Sequence, residues 1–193
     1  LYLDTGAMYR ACALAALRAG IDVADEAQVC VLMRDIPLNV VYRDGEQHTM
    51  LDGEDVSDQI RTPEVSMAAS TVSRHMSVRM KMVEKQREIA GKMSCVLDGR
   101  DIGTFVLPDA DFKFFLTASA EVRAKRRADE MTAKGYRVDF EKLKQEIAAR
   151  DEQDSTREFA PLKRADDAVL IDTSDMTIEE VLRTIKSKMQ EKI

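Results

Sequence analysis

Residues 93–101 read MSCVLDGRD, a short apolar run that breaks at Asp98-Gly99 and sets an arginine beside two carboxylates. Such a run ending in a glycine turn reads as a buried strand with polar residues at its exit. The pattern recurs along the chain. Residues 1–3 (LYL) read as the end of a buried strand before the polar turn Asp4, Thr5 and Gly6, and residues 112–116 (FKFFL) and 168–171 (AVLI) read as two more strands. Helical stretches lie between them at about 7–19, closed by Gly20, then at 26–34, 63–73, 77–90 and 120–134, the last stopped by Gly135. Thr62 with Pro63 forms an N-cap and first-turn pair, Asp139 caps a further helix, and Thr177 with Glu180 makes a capping box before the final one. That final helix lines up Ile178, Val181, Leu182, Ile185 and Met189 on one side.

Strands alternating with helices predict an α/β fold on a parallel sheet, whose ligands bind outside the carboxyl ends of the strands. The polar exits are therefore Asp4 and Thr5, residues 98–101, Thr117 with Ser119, and Asp172 with Thr173. Residues 38–42, the turn Asp44-Gly45 and residues 49–51 read as a hairpin. A small antiparallel insertion over roughly 36–60 follows, with the helices of 62–90 beside it.

At 193 residues the chain fits one main domain with a small insertion. Hydrophobic residues at 45% and charged residues at 33% exclude a disordered or fibrous protein. No stretch approaches the ~20 apolar residues of a membrane span, and no basic region precedes an apolar run at the start, so no membrane association and a cytoplasmic location are expected. Cys12, Cys30 and Cys95 are widely spaced among apolar neighbours, which predicts buried thiols, and His48 and His75 lack ligand spacing for zinc. A net charge of −6 and a pI near 5.1 argue against nucleic acid as a partner. A small anion is not excluded, because a few arginines can converge within an acidic protein.

Four clusters can carry chemistry, each with a plainer reading beside it. In Asp98-Gly99-Arg100-Asp101 the arginine either meets a ligand at the strand exit or closes the turn on a neighbouring carboxylate. Arg150, Asp154 and Arg157 fall within one arc of a helix at ~100° per residue, as a phosphate fork or as a solvated ion-pair ladder. Arg123, Lys125, Arg126 and Arg127 are a basic helical stretch in which Arg123 and Arg127 share a face, and solvated surface is its ordinary meaning. Thr5 with Arg10 lies at the helix start facing the strand exits.

Taken together, LDTGAMYR (3–10), LDGEDVSDQIRTPEV (51–65), LDGRDIGTFVLPDA (97–110) and RDEQDSTREFAPL (150–162) occur in the order found in bacterial cytidylate kinases, and the resemblance covers nearly the whole chain. It implies an α/β fold with the three-layer parallel sheet of P-loop nucleoside monophosphate kinases. Residues 1–35 and 91–193 would form the kinase core, 36–90 a monophosphate-binding insertion with a small three-stranded sheet, and about 120–138 would contain the lid. The implied reaction moves the γ-phosphoryl group of ATP to CMP or dCMP, with Mg2+, in a protein expected to be monomeric. By the same resemblance Arg79 donates to cytosine O2 and N3 while Ser70 and Asp101 accept from the N4 amine. Arg10, Arg100 and Arg157 surround the phosphate, Arg150 and Asp154 lie near the sugar, and Thr5 is close to the acceptor end. Arg123 and Arg127 act from the lid as catalytic residues, and Asp98 holds Mg2+ through water.

One departure stands out. Kinases of this family begin with a strand and a glycine-rich GxxxxGK[ST] loop that cradles the ATP phosphates, and no stretch of this sequence fits that motif. The chain is therefore expected to transfer no phosphoryl group as it stands, whether it is an N-terminally incomplete kinase, a degenerate monophosphate binder, or a partner to a loop supplied in trans. The rival readings are a catalytically inactive nucleotide-binding module and a kinase for another pyrimidine monophosphate, UMP or thymidylate.

Overall fold

In the computed structural model, which describes residues 1–191, Asp4 decides where the first helix begins. Its carboxylate accepts from the backbone N–H of Ala7 at 2.9 Å, an N-cap that satisfies one of the helix's orphan donors. Helix α1 (Thr5–Arg18) thus starts two residues before the start expected at about residue 7, directly at the end of strand β1 (Tyr2–Asp4).

The described residues divide into two units, the first Leu1–Ile102 and the second beginning at Gly103. In the first, helix α2 (Glu26–Arg34) leads to a three-stranded antiparallel sheet of β2 (Leu38–Arg43), β3 (Glu46–Leu51) and β4 (Glu54–Asp55). Two Asp-Gly turns build it. Asp44 and Gly45 at φ 52° and 83°, and Asp52 and Gly53 at φ 51° and 78°, are both left-handed in succession, the conformation that matches the twist of a tight hairpin. Helices α3 (Pro63–Val72) and α4 (Met76–Ala90) follow, and β5 (Val96–Asp98) pairs in parallel with β1, Asp4 opposite Asp98. Thr62 caps α3 as its sequence predicts. The core of this unit joins Met8, Ala11 and Cys12 of α1 to Val65, Ala69 and Val72 of α3 and to Val78 and Met82 of α4. Burial pushes the Cys12 thiol up to about 12, so it behaves as a small apolar group. Cys30 and Cys95 are only half-buried, unlike the expectation for all three.

The second unit holds β6 (Phe114–Thr117) and β7 (Val169–Asp172), also paired in parallel, with α5 (Ala120–Ala133) and α6 (Phe140–Thr156) packed together and α7 (Ile178–Gln190) last. Ser119, Asp139 and Thr177 cap these helices, and the capping box of Thr177 and Glu180 is complete. Phe105 and Phe159 meet edge to face at 4.8 Å.

Two expectations about the strands need correction. Among the described residues the parallel ladders are two separate pairs, β1 with β5 and β6 with β7, so the expected single sheet has unpaired edges. Val96, Leu116 and Leu170 are exposed rather than buried. The apolar side of α7 forms as its spacing predicts, but Ile178 and Leu182 are exposed and no residue of that helix is fully buried. Among the described residues no helix is long and apolar enough to cross a membrane.

Candidate functional site

At the end of β1 and β5 the two strand exits meet. Thr5 Oγ1 donates to the Asp98 carbonyl at 2.6 Å, and Gly99 is required by that approach: a Cβ there would lie 2.5 Å from Thr5 Oγ1 and 2.9 Å from Ile102 Cδ1. Arg10 reaches back from α1 to donate to Asp4 at 2.7 Å, while Arg61 stands 3.7 Å from the same carboxylate. The Arg10 Nε is buried without a hydrogen-bond partner. A cavity of about 280 Å3 opens alongside, lined in part by Tyr2, Asp4, Gln47 and Arg61.

Asp98 accepts from the Tyr2 hydroxyl at 2.7 Å. Crowding by protein raises its carboxyl above the usual carboxylate range; the Tyr2 hydrogen bond acts against this, and the negative charge of Asp4 adds to it. Among the described residues no three acidic, His or Cys side chains gather into a metal cage. A hard cation that keeps most of its waters needs no such cage, and one or two carboxylates suffice for Mg2+. Asp98, held close to a second carboxylate that disfavours its ionised form, is the group in this unit that a divalent cation would relieve.

Arg79 and Asp101 form the most buried ion pair of the unit, with side chains 2% and 6% exposed. Arg79 donates one terminal nitrogen to Asp101 and the other to the Ser73 carbonyl at 3.0 Å, and its guanidinium carbon lies 5.6 Å from the centre of the Tyr9 ring. Its Nε, also buried, has no hydrogen-bond partner. Ser73 links the pair to Ser70 by donating its hydroxyl to the Ser70 carbonyl at 2.9 Å. Two of the residues assigned to the base by resemblance, Arg79 and Asp101, are thus in direct contact. Arg100 is exposed next to them in sequence.

In the second unit, Asp154 is 3% exposed and takes Arg157 at 3.4 Å and Arg150 at 4.0 Å. A solvated ladder does not bury its carboxylate: the Arg157 side chain is itself only 10% exposed, while that of Arg150 stays 46% exposed. Arg157 is not on the helix face the spacing predicts: α6 ends at Thr156, and Arg157 is the extended residue that caps it. Its Nε donates to the carbonyl of Ala160, itself at φ 47°, which folds the following loop back onto the helix end. The lid candidates differ from each other. Arg123 donates through both terminal nitrogens to Asp151 of α6 and through Nε to the Ala118 carbonyl at 2.9 Å. Arg127 makes an exposed i, i+3 pair with Glu130 at 3.0 Å. Although four residues apart on one helix, the two guanidinium groups have separate partners.

Asp4 and Asp151, the partners of Arg10 and Arg123, were not among the expected site residues. Asp4 was legible as a strand exit. Asp151 carries no comparable signal beyond lying next to Arg150.

Parallel strands with polar exits, glycine at the point of closest approach and arginines held by acidic partners describe an α/β protein whose guanidinium groups are fixed in place. Comparison with known proteins narrows this. A sequence model of the family described as cytidylate kinase matches residues 1–191. The chain is 49% identical to a cytidylate kinase of Caldicellulosiruptor bescii over 185 residues, covering 96% of this chain and 82% of that protein. It is 47% identical to one of Halalkalibacterium halodurans over 193 residues, 100% and 87% of the two chains, and 50% identical to one of Bacillus pumilus over 181 residues, 94% and 80%. The chain belongs to the cytidylate kinase family, and with it to the nucleoside monophosphate kinases, a class of phosphotransferases.

Proposed function

We propose that this protein binds CMP or dCMP as the acceptor of the ATP γ-phosphoryl group, giving CDP or dCDP. The observation that carries the reading is the buried Arg79–Asp101 pair with Arg79 Nε unpartnered. A guanidinium and a carboxylate fixed side by side offer a donor for cytosine N3 and O2 and an acceptor for its N4 amine, while uracil would present a carbonyl to the carboxylate.

In the first unit, Arg10 and Arg100 serve the CMP phosphate, Thr5 lies at the acceptor end, and Asp98 holds Mg2+ through water. The cation, when bound, neutralises charge developing on the phosphates. In the second, Arg157 serves the phosphate, Arg150 and Asp154 the sugar, and Arg123 and Arg127 the transferring group. Residues 1–35 and 91–193 act as the kinase core on this scheme, 36–90 as the monophosphate-binding part, and about 120–138 as the lid, on the three-layer parallel sheet of that kinase class.

Calorimetric titration with CMP, dCMP and UMP tests the reading, together with ADP release from ATP in the presence of each. Saturable CMP binding at least about 10-fold tighter than UMP is expected. Equal affinity for the two would refute the base assignment; the 193-residue chain, in which no stretch fits the GxxxxGK[ST] motif, is expected to bind CMP without forming ADP, and appreciable ADP formation would refute the need for that loop.

A further inference from the structure

Strand β1 has one edge paired with β5, where the Leu1 carbonyl accepts from Val96 N at 2.7 Å. Alternation along the strand turns the carbonyl of Tyr2 and the backbone groups of Asp4 toward the other edge. No strand pairs there. Two side chains of the antiparallel sheet do instead. The Tyr42 hydroxyl donates to the Tyr2 carbonyl at 2.8 Å, the Gln47 Oε1 accepts from the Asp4 N–H at 2.7 Å, and the Gln47 Nε2 donates to the Asp4 carbonyl at 3.3 Å. Tyr42 and Gln47 are directly opposite each other in the β2–β3 register, so they project from the same face of the hairpin. Their polar ends thus supply the donors and acceptor that a neighbouring strand would and satisfy groups that would otherwise be open.

The residue they hold is the one on which this end of the site depends. Asp4 caps α1 through Ala7 and holds Arg10 through the same carboxylate, and it immediately precedes Thr5. We propose that Gln47, supported by Tyr42, is a positioning residue for nucleotide binding: it clamps the Asp4 backbone to the hairpin, so that Arg10 and Thr5 are presented in their binding geometry. This rests on the CMP reading above. The Oε1 and Nε2 bonds of the Gln47 amide both go to the Asp4 backbone, so its effect on Arg10 and Thr5 is exerted through Asp4. A glutamine is suited to the task because one amide supplies both an acceptor and a donor, matching a peptide unit.

The test uses the 193-residue chain with two variants. Gln47→Met keeps the length and apolar body of the side chain and removes both hydrogen bonds, while Gln47→Glu keeps the acceptor for the Asp4 N–H. Amide hydrogen exchange by NMR reads the clamp and calorimetry with CMP reads its consequence. In Gln47→Met the Asp4 amide should exchange about 10-fold faster or more, and CMP affinity should fall about 3- to 10-fold, with the melting temperature nearly that of wild type. Gln47→Glu should retain the slow Asp4 exchange. Unchanged Asp4 exchange in Gln47→Met overturns the clamp whether or not CMP binds. Faster exchange with unchanged CMP affinity, in a wild-type protein that does bind CMP, overturns the positioning role. A wild-type chain that does not bind CMP overturns the nucleotide reading and the positioning role with it, while the exchange data still decide the clamp.

Discussion

Substituting Asp101 by asparagine removes the charge of the most buried pair and leaves its shape. Arg79 then retains the Ser73 carbonyl at 3.0 Å and the Tyr9 ring at 5.6 Å, but its positive charge, on a side chain only 2% exposed, has lost its counter-ion. Removing one member of a buried ion pair costs about 3–5 kcal/mol. The remaining carbonyl, the ring and the asparagine oxygen place Asp101→Asn near the lower end, about 3 kcal/mol, or a melting temperature about 6–12 °C lower for a protein of this size. Arg79→Met should cost a similar amount by taking the guanidinium away from the buried carboxylate. The double variant should recover about 2 kcal/mol relative to the sum of the singles.

Nucleotide affinity supplies the second readout on the same proteins. Asp101→Asn should bring the CMP to UMP affinity ratio down by about 10-fold, because an amide can turn its donor toward the uracil carbonyl where the carboxylate can only repel it. Arg79→Met should weaken both nucleotides alike, since both carry the O2 acceptor. Thermal melts and calorimetry decide the matter. Additive singles that each cost under about 1 kcal/mol would show that the pair is not energetically coupled, and an unchanged CMP to UMP ratio in a folded Asp101→Asn would show that Asp101 does not read the base.

Three further substitutions test other parts of the arrangement. Asp98 has its carboxyl raised, first by burial and then by Asp4, so its stabilising contribution is fully present below the unfolded value of about 3.8 and is lost as pH rises through the folded one; Asp98→Asn should therefore melt above wild type at pH 7 and with it below about pH 4, and a difference that ignores pH would count against the raised carboxyl. Gly99→Ala puts a Cβ 2.5 Å from Thr5 Oγ1 and should destabilise by about 1–3 kcal/mol in urea unfolding, a cost under about 0.5 kcal/mol meaning that the strand exits are not tightly apposed. Arg157→Ala should lower affinity for CMP and dCMP together by about 10-fold or more, while Asp154→Ala should change the ratio between them, and wild-type titrations in both would remove this cluster from the site.

Much of the secondary structure was legible because its signals are local. Thr62-Pro63, Asp139 and the Thr177–Glu180 box each mark a helix start from one or two residues, and Asp44-Gly45 marks a hairpin; Ser119, read only as a strand exit, caps α5 as well. The sequence read Asp4 as part of a turn because a capping aspartate and a turn aspartate look alike until its bond to Ala7 is seen. The second turn, Asp52-Gly53, repeats the first and was readable by the same rule. Burial was the weaker reading: an apolar run says that a strand can be covered, and Val96, Leu116 and Leu170 face outward where no further strand is hydrogen-bonded. The partners of the site residues were the least legible part. Arg79 and Asp101 were each named, yet their pairing across 22 positions has no periodic signature, nor does the reach of Gln47 across 43 positions to Asp4.

Net charge is a poor guide to an anion site in this protein, and the pairing of its arginines explains why. Arg10 is held by Asp4 at 2.7 Å, Arg79 by Asp101, Arg157 by Asp154 at 3.4 Å and Arg123 by Asp151. Each carboxylate cancels its arginine in the sum over the chain, giving −6, yet fixes the guanidinium where a phosphorylated ligand could share it. An arginine already oriented loses less side-chain freedom on binding than one recruited from solvent. The same argument separates the two lid candidates. Arg127 pairs with Glu130 on the surface, an interaction worth about 0–1 kcal/mol, so it can leave its partner for a phosphoryl group at little cost. Arg123 would have to abandon a two-pronged pair with Asp151, which ties α5 to α6, and a bond to the Ala118 carbonyl just ahead of α5. If both arginines serve the transferring group as proposed, Arg127 would reach it by giving up less than Arg123, and Arg127→Ala would then leave the α5–α6 contact intact while Arg123→Ala would loosen it.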